Sequence, residues 1–564
     1  MTVPRWLKRK DVLWIGGLAA LLVSYFVFGD AADPCQPHPQ TVAAAAGQGS
    51  DAVAEGERVT VEGTVTGVFL GADALNGFFL QGGRGSDGPA AVFVYAPRLD
   101  GAARERVRPG ARLQVTGTTD RFHGRPQIGY LESVHRCGPR RSVEPVPLEL
   151  PLTDADRAAM EGLLVRYPGE LVVTGNYQLG RFGTLKLAPE RRFRARSGDD
   201  IEPVLLLDDG SYRSDPEPVP YLDADSGTRR VGDRLEPVTG IVTYAFDDWR
   251  LHPVEEPCFH ATNPRPDAPG AVGGQIRAAA FNVENYFLTL GERGAASEAE
   301  LERQRQRLLP ALAGLQADLL GLVEVENDRE ALRDLVRRAS DAVPGPAYRG
   351  LSVGDAGSDA IKVSLAYRPE RLNLVAGPFR DARSVHHRPP QGAVFRAPGG
   401  EPFLAAVVHF KSKTRCPDSG DVDRGQGCWN ERRTAQARAL REFVNEKAGK
   451  HGIDDVLLLG DFNSYAGEDP MRVLEDAGFR NLVARDLPAG RQYSYVFHGA
   501  SGTLDYALAT PSMAERVAGT EVWHVNADEP TVFHYQERLG DSAQVHGTPY
   551  RSSDHDPVLI GIDE

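Results

Sequence analysis

The chain has 564 residues, 41% of them hydrophobic and 25% charged, an ordinary globular composition and too long for one core. About two to four domains are expected. The formal net charge of −14 excludes a passive nucleic-acid coat, so any polyanion site must be locally basic.

In chain order, Arg5, Lys8, Arg9 and Lys10 precede an apolar run from Val12 to Phe28. A basic region followed by an apolar one is the pattern of a secretory signal. Residues 1–30 are therefore expected to be an export signal or a membrane anchor, with everything after Asp30 outside the cytoplasm. The five cysteines fit that compartment. Cys416 and Cys428 bracket a polar loop and are expected to pair. Cys35, Cys137 and Cys258 leave one over, and the sequence does not choose among them. Zinc is disfavoured, because no Cys-x-x-Cys or nearby histidine spacing supports it.

Residues 31–54, rich in Ala, Pro, Gly and Gln, read as a flexible tether. Over residues 55–140 short alternating strands follow, including Val59 to Val65, Phe78 to Leu80, Ala91 to Tyr95 and Leu113 to Gly117. This spacing predicts a small all-β barrel or sandwich, and its glycine pattern resembles OB-fold barrels. Aromatics in such barrels can stack single strands, but Phe78, Phe79, Phe93 and Tyr95 read more simply as core. The theme recurs over 155–260, where Gly232 to Gly240 echoes Gly110 to Gly117, so a second OB-like domain is expected.

Residues 261–275 carry Pro264, Pro266 and Pro269 and read as a linker. From 276 to 564 strands and helices alternate. Ile276 to Phe281 and Asp318 to Val323 are strands. Ser297-Glu298-Ala299-Glu300 is a capping box opening a helix that Pro310 should kink or shorten. Strands follow at Ile361 to Tyr367 and Phe403 to His409, then a helix from Asn430 to Lys447. The apolar run Val456 to Leu459 ends in Gly460-Asp461-Phe462-Asn463. Along an extended chain Asp461 and Asn463 face one spot while Phe462 faces the core. Strands over Thr503 to Leu508 and Pro557 to Ile562 close the domain.

Polar groups stand at one strand end after another: Asn282 and Glu284, Glu324, His409, Asp461 and Asn463, Asp505, Asp554 and His555. Sites in open α/β sheets form at such strand ends. The set is rich in oxygen, free of cysteine and carries two histidines. That donor set suits a hard divalent cation, Mg²⁺ or Mn²⁺.

The segments Phe281-Asn282-Val283-Glu284-Asn285, Gly321-Leu322-Val323-Glu324, Val408-His409-Phe410-Lys411-Ser412, Gly460-Asp461-Phe462-Asn463, Leu504-Asp505-Tyr506 and Ser553-Asp554-His555-Asp556-Pro557-Val558 occur in that order. Together they resemble the endonuclease/exonuclease/phosphatase superfamily, the deoxyribonuclease I-like fold. The Cys416 to Arg433 segment further resembles large secreted bacterial nucleases of that superfamily, which also carry β domains ahead of the catalytic one. The resemblance implies an α+β catalytic domain, a four-layer α/β/β/α sandwich. It implies Glu324 as principal metal ligand, with Asn282, Glu284 and Asp554 near the cation; Ca²⁺ is a further possibility. Asp461 and Asn463 would position the water and the scissile phosphate. His555, oriented by Asp505, would be base or phosphate stabiliser, and His409 the acid or a phosphate contact. Glu326 rivals Glu324 for the metal. Where the deoxyribonuclease I branch has a glutamate orienting the histidine matching His409, this chain has Ile361, and Asp359 is the candidate replacement.

Lys411, Lys413, Arg415, Arg424, Arg432 and Arg433 cluster after His409, mixed with acids. Arg432 and Arg433 open a helix, where cations oppose the dipole, and this points to phosphate binding alongside Lys411 and Asn430. Arg433→Ala should then weaken substrate affinity and flatten its salt dependence. The expectation is an exported, low-specificity metal-dependent nuclease acting on nucleic acid, most simply extracellular DNA, with the membrane touched only through the N-terminal segment. The alternatives are a phosphodiesterase or phosphatase for lipid or sugar phosphates and, outside catalysis, an envelope-anchored binding protein.

Overall fold

The structure is a computed structural model and describes residues 35, 39–71, 73–82, 88–199, 205–351, 356–537 and 545–564. The expected export segment lies outside them. Among the described residues no helix is long and apolar enough to cross a membrane. The chain divides into two compact units.

In the first unit the strands Arg58–Phe69, Gly77–Gln81, Ala91–Tyr95, Arg125–Arg136 and Arg112–Phe122 close into a barrel in that spatial order. Alternation decides the inside: Val59, Val61, Phe78, Leu80, Val92, Val94, Leu113, Val115 and Ile128 form one core. Phe78, Phe79 and Phe93 are buried as expected of core, while Tyr95 is exposed. The expected tether is partly ordered. Val42–Ala45 is a short helix capped by Thr41, and its apolar side joins the barrel core. Cys35 is bonded to Cys137, which settles the pairing that the sequence left open.

The span 155–260 does not form a second barrel. Residues 157–165 and 239–247 belong to the first unit, and 166–238 and 248–260 to the second. In the second unit Phe259–His260, Arg234–Leu235, Leu171–Gly175, Thr184–Ala188, Leu205–Asp208 and Asp248–Pro253 lie side by side in an open sheet. The echo between 110–117 and 232–240 reflects a shared strand grammar, not a shared closure. This sheet is tied to the C-terminal half by buried charge. Arg191 pairs with Asp528 at 2.6 Å, Arg230 with Glu529 at 3.0 Å, and Asn176 Nδ2 donates to the Asp528 carbonyl at 2.8 Å. Cys258 is free and exposed. Its potential ligand atom lies within 4.8 Å of those of Glu236 and His260, a cross-strand trio that the sequence spacing did not reveal.

The remaining residues of this unit build two six-stranded sheets. One runs Arg349–Leu351, Ile361–Tyr367, Leu319–Glu326, Ile276–Tyr286, Val558–Ile562, Val517–Val522. The other runs Asn373–Arg380, Gln391–Arg396, Phe403–His409, Val456–Asp461, Asp505–Ala509, Arg480–Asn481. Each sheet holds a parallel pair, Ile276–Tyr286 with Leu319–Glu326 and Phe403–His409 with Val456–Asp461, and a helix fills each crossover. The sheets pack face to face through Ala278, Leu319, Val363, Ala405, Leu457 and Ala507. The helices Glu298–Leu315 and Arg329–Ala342 cover the outer face of the first sheet, and Asn430–His451 that of the second. These are four layers, α/β/β/α. Pro310 does not end its helix, which runs unbroken to Leu315. Buried Leu308, Ala311 and Leu312 anchor the helix against the sheet on both sides of the proline, so packing outweighs the lost hydrogen bond.

One glycine is a strict requirement. Gly460 sits at φ +130°, and a Cβ there would stand 2.2 Å from the Val408 carbonyl oxygen. Gly460→Ala is expected to cost about 1–3 kcal/mol from backbone strain alone, with the steric clash added. Chemical denaturation measures it.

Candidate active site

The site grows from sheet register. His409 pairs with Asp461 across the parallel ladder, and Asp461 pairs with Asp505 across the antiparallel one. Directly paired residues put their side chains on one face, so three polar groups stand in a row. Phe462 turns the other way and packs edge-on against Phe410 and Tyr506. In the first sheet Asn282, Glu284 and Glu324 lie toward the ends of the two parallel strands, and Asp554 and His555 come just before Val558–Ile562, the antiparallel strand beside Ile276–Tyr286. Glu284, Glu324 and Asn463 adopt φ values of +50°, +67° and +45°. Such left-handed backbone at non-glycine residues costs energy and clusters at functional sites.

Around the row, His555 Nδ1 lies 2.6 Å from Asp505 Oδ2, and Ser494 Oγ donates to the same oxygen at 2.7 Å. Asp461, Asp505 and His555 offer ligand atoms within 4.8 Å of one another. Asn463 donates through its amide N to Asp461 Oδ1 at 2.7 Å and through Nδ2 to Asp461 Oδ2 at 3.0 Å. His409 Nε2 is 3.4 Å from Asp461 Oδ2 and 3.9 Å from Glu324 Oε1, and its buried Nδ1 has no hydrogen-bond partner. Glu284 is fixed by His534, whose Nε2 is 2.8 Å from Oε1. Its Oε2 and the Asn282 Nδ2 are buried without hydrogen-bond partners.

Charge crowding sets the titration. Burial, then Asp554, pushes Glu324 up. Burial, then Glu284, pushes Asp554 up. Burial, then Asp505, pushes Asp461 up to about 7. Burial also acts on Glu284, but His534 with Arg551 and His555 holds it below the ordinary carboxylate value. Burial, then Arg388, holds His409 well below the ordinary imidazole value. Burial pulls His555 the same way, but Asp505 and Asp554 outweigh it and hold the imidazolium well above. Glu324 and Asp554, each raised by burial and then by a like-charged neighbour, with an unsatisfied Glu284 oxygen beside them, fit a hard divalent cation held by Glu324, Asn282, Glu284 and Asp554.

Glu326 is committed elsewhere. Its Oε2 accepts the amides of Leu288 at 2.7 Å and Thr289 at 3.2 Å, which fixes the loop after the first strand. Asp359 accepts from Arg293 at 3.3 Å and lies 3.8 Å from Arg388, so the candidate replacement engages arginines.

The basic segment divides. Arg433 is fully buried, and its guanidinium donates to the carbonyls of Cys428 at 2.6 Å and Gln426 at 2.9 Å. It ties the Cys416–Cys428 loop to its helix and does not reach substrate, which corrects the phosphate-binding expectation and the salt-slope prediction built on it. Asn430 Nδ2 donates to Asp469 at 3.0 Å and also supports this loop. Lys411 and Arg432 remain partly exposed. Lys411 Nζ lies 5.2 Å from the Trp429 ring centre and Arg432 donates to the Val385 carbonyl at 3.3 Å.

Sequence reasoning missed several supports. Asp556 Oδ1 accepts the amides of Asn526 at 2.8 Å and Ala527 at 3.0 Å, and Asn526 Nδ2 donates to the His555 carbonyl at 2.7 Å. Asp556 lay inside a motif already singled out, but its partners are distant in sequence. His534 carried no pattern at all. His534→Ala should free Glu284 and raise the half-saturating Mg²⁺ concentration by about 10–100-fold, read from a metal titration of activity.

Layers, strand-end carboxylates and paired histidines form an arrangement suited to phosphoester hydrolysis. Residues 279–555 match the Endonuclease/Exonuclease/phosphatase family, and this domain belongs to it. Members of that superfamily are hydrolytic enzymes, nucleases and phosphatases, and are generally dependent on divalent metal. No curated protein matches the chain. Similar solved structures include the human Nocturnin catalytic domain with bound sulfate anion, 16% identical over 50% of this chain and 93% of that one, TM-score 0.35. A Bacteroides thetaiotaomicron mannosyl-6-phosphatase is 17% identical over 51% and 100%, TM-score 0.35. D. rerio TDP2 complexed with single strand DNA product is 15% identical over 50% and 97%, TM-score 0.34.

Proposed function

We propose that the chain is an exported, metal-dependent phosphodiesterase that hydrolyses nucleic acid, with DNA the preferred substrate. The observation that carries the reaction class is the His409–Asp461–Asp505 row with His555 held by Asp505 at 2.6 Å. Phosphodiester hydrolysis needs an oriented water, charge stabilised on the phosphoryl oxygens and a leaving alkoxide met by a proton or metal. Asp461 and Asn463 orient the water against the phosphorus. The Asp505 bond fixes the His555 ring through Nδ1 and leaves Nε2 for a phosphoryl oxygen or the water. His409, whose Nε2 lies 3.4 Å from Asp461 and 3.9 Å from Glu324, offers a second contact to the phosphate group. Glu324, with Asn282, Glu284 and Asp554, would hold the cation, which when bound stabilises developing charge on the phosphoryl and leaving oxygens.

Export is supported by two disulfides, Cys35–Cys137 and Cys416–Cys428, which persist in oxidising compartments. Nucleic acid is favoured over lipid because the loops beside the site are polar and basic, with Lys411 and Arg432 partly exposed. The test is a substrate panel with the full chain and Mg²⁺: DNA, RNA, a sugar phosphate and a phospholipid headgroup ester. DNA or RNA should be turned over fastest. Turnover of the sugar or lipid esters with nucleic acid left intact would overturn the reading.

A further inference from the structure

One basic run in the second unit, apart from Arg191 and its pairing with Asp528, lies outside the roles assigned so far. Glu190-Arg191-Arg192-Phe193-Arg194-Ala195-Arg196 is part of the accessory sheet region in sequence. In space it is a strap across loops of the catalytic fold. The Arg194 amide donates to the Ser501 carbonyl at 2.9 Å, and the Ser501 amide to the Arg192 carbonyl at 2.8 Å. The strap thereby sits beside the hairpin of Tyr495–Phe497 and Ala500–Gly502, bridged to it through Phe193 and Ser501. Further on, the Gly467 amide donates to the Ala195 carbonyl at 2.9 Å, and Ser197 donates to Glu468 Oε1 at 2.8 Å.

Register fixes which side chains share a face. Phe193 is paired with Ser501, and Ser501 with Val496. The flanking residues Arg192, Arg194, Ala500, Gly502, Tyr495 and Phe497 therefore lie on the opposite face. The small Ala500 and Gly502 separate arginines from aromatics. The Tyr495 ring stands 4.6 Å from the His555 ring, and the Phe497 ring lies 6.4 Å beyond at only 18° to Tyr495. Phe497 is 43% exposed. The Arg194 guanidinium is centred 6.0 Å from the Phe497 ring and 5.7 Å from the Tyr465 ring, and its Nε is buried with no hydrogen-bond partner. A row of rings thus leads out from the reacting centre, with cationic groups along one side.

We propose that this face is a subsite for single-stranded nucleic acid, stacking an unpaired base on Phe497 and holding a phosphate at Arg194, one or two nucleotides from the scissile bond. Rings nearly parallel to one another suit successive unpaired bases, because every base has a stacking face. A duplex keeps its bases stacked on one another and cannot lay them on Phe497. The inference rests on the nucleic-acid reading above and narrows it to unpaired strands at this edge of the site.

The test measures binding apart from turnover. The full chain, in chelator, is titrated into a fluorescein-labelled single-stranded deoxythymidine 12-mer, with a 12-base-pair duplex as competitor; a gel verifies that the strand stays intact. The parent protein should bind the single strand more tightly than the duplex. Phe497→Ala should weaken single-strand binding about 5- to 150-fold. Arg194→Gln should lower the slope of log affinity against log salt by about one. Both side chains lie at or near the surface, and an unchanged melting temperature excludes simple misfolding. Single-strand affinity within twofold of the parent for Phe497→Ala, or a parent preference for duplex, overturns the subsite. Tight, Phe497-dependent binding without cleavage in Mg²⁺ would instead overturn the nuclease reading and leave the subsite standing.

Discussion

Turnover should fall about 10²–10⁴-fold when His555 is replaced by alanine, the range for losing a positioned proton-transfer group. The ring is buried, stands 2.6 Å from Asp505 and is backed by a carbonyl bond from Asn526. Asp505→Asn keeps the shape but removes the charge that orients the ring. It should reproduce much of the loss. Because the two residues act as a unit, the double variant should be hardly worse than His555→Ala alone. Single-turnover rates on one DNA substrate provide the comparison. Additive losses would mean that Asp505 acts independently, against the geometry described here.

The second large effect belongs to Glu324. Glu324→Gln preserves volume and removes one of the crowded charges. Activity at fixed Mg²⁺ should drop about 100-fold or more, and recover in part as Mg²⁺ is raised. Stability should move the opposite way. Besides burial, Asp554 raises Glu324 and Glu284 raises Asp554, so the metal-free protein carries repulsion among these carboxylates. In chelator, Glu324→Gln should therefore melt no lower than the parent and preferably higher. Such a trade of stability for activity is common where a site holds like charges together. A variant that loses activity and also melts lower in chelator would make Glu324 a structural residue.

Much of the catalytic half was legible because its signals are local. The run Val456 to Leu459 had to be a buried strand, and the alternation of Asp461, Phe462 and Asn463 set which side chain met the site. Strand-end polar residues could be listed from sequence because parallel strands present their ends to one edge. Three kinds of information were not local. His534, Asn526 and Ser494 matter only through partners far along the chain. Arg433 looked like a phosphate ligand by its place at a helix start, but the sequence did not show that loop carbonyls would fold around it. The open sheet over 171–260 repeats the strand grammar of a barrel, and only the buried pairs from Arg191 and Arg230 to Asp528 and Glu529 show why it stays with the catalytic half. Pro310 is the converse, a strong local signal overruled by packing on both sides.

The most direct test of the central claim is nicking of supercoiled plasmid by the full chain. Parent, His555→Ala and Glu324→Gln proteins are incubated with plasmid in Mg²⁺, with and without chelator. The account predicts conversion to open-circular and then linear DNA by the parent alone, stopped by chelator. Plasmid and a circular single-stranded DNA both left intact by the parent, or nicking that survives chelator or the loss of His555, would contradict it.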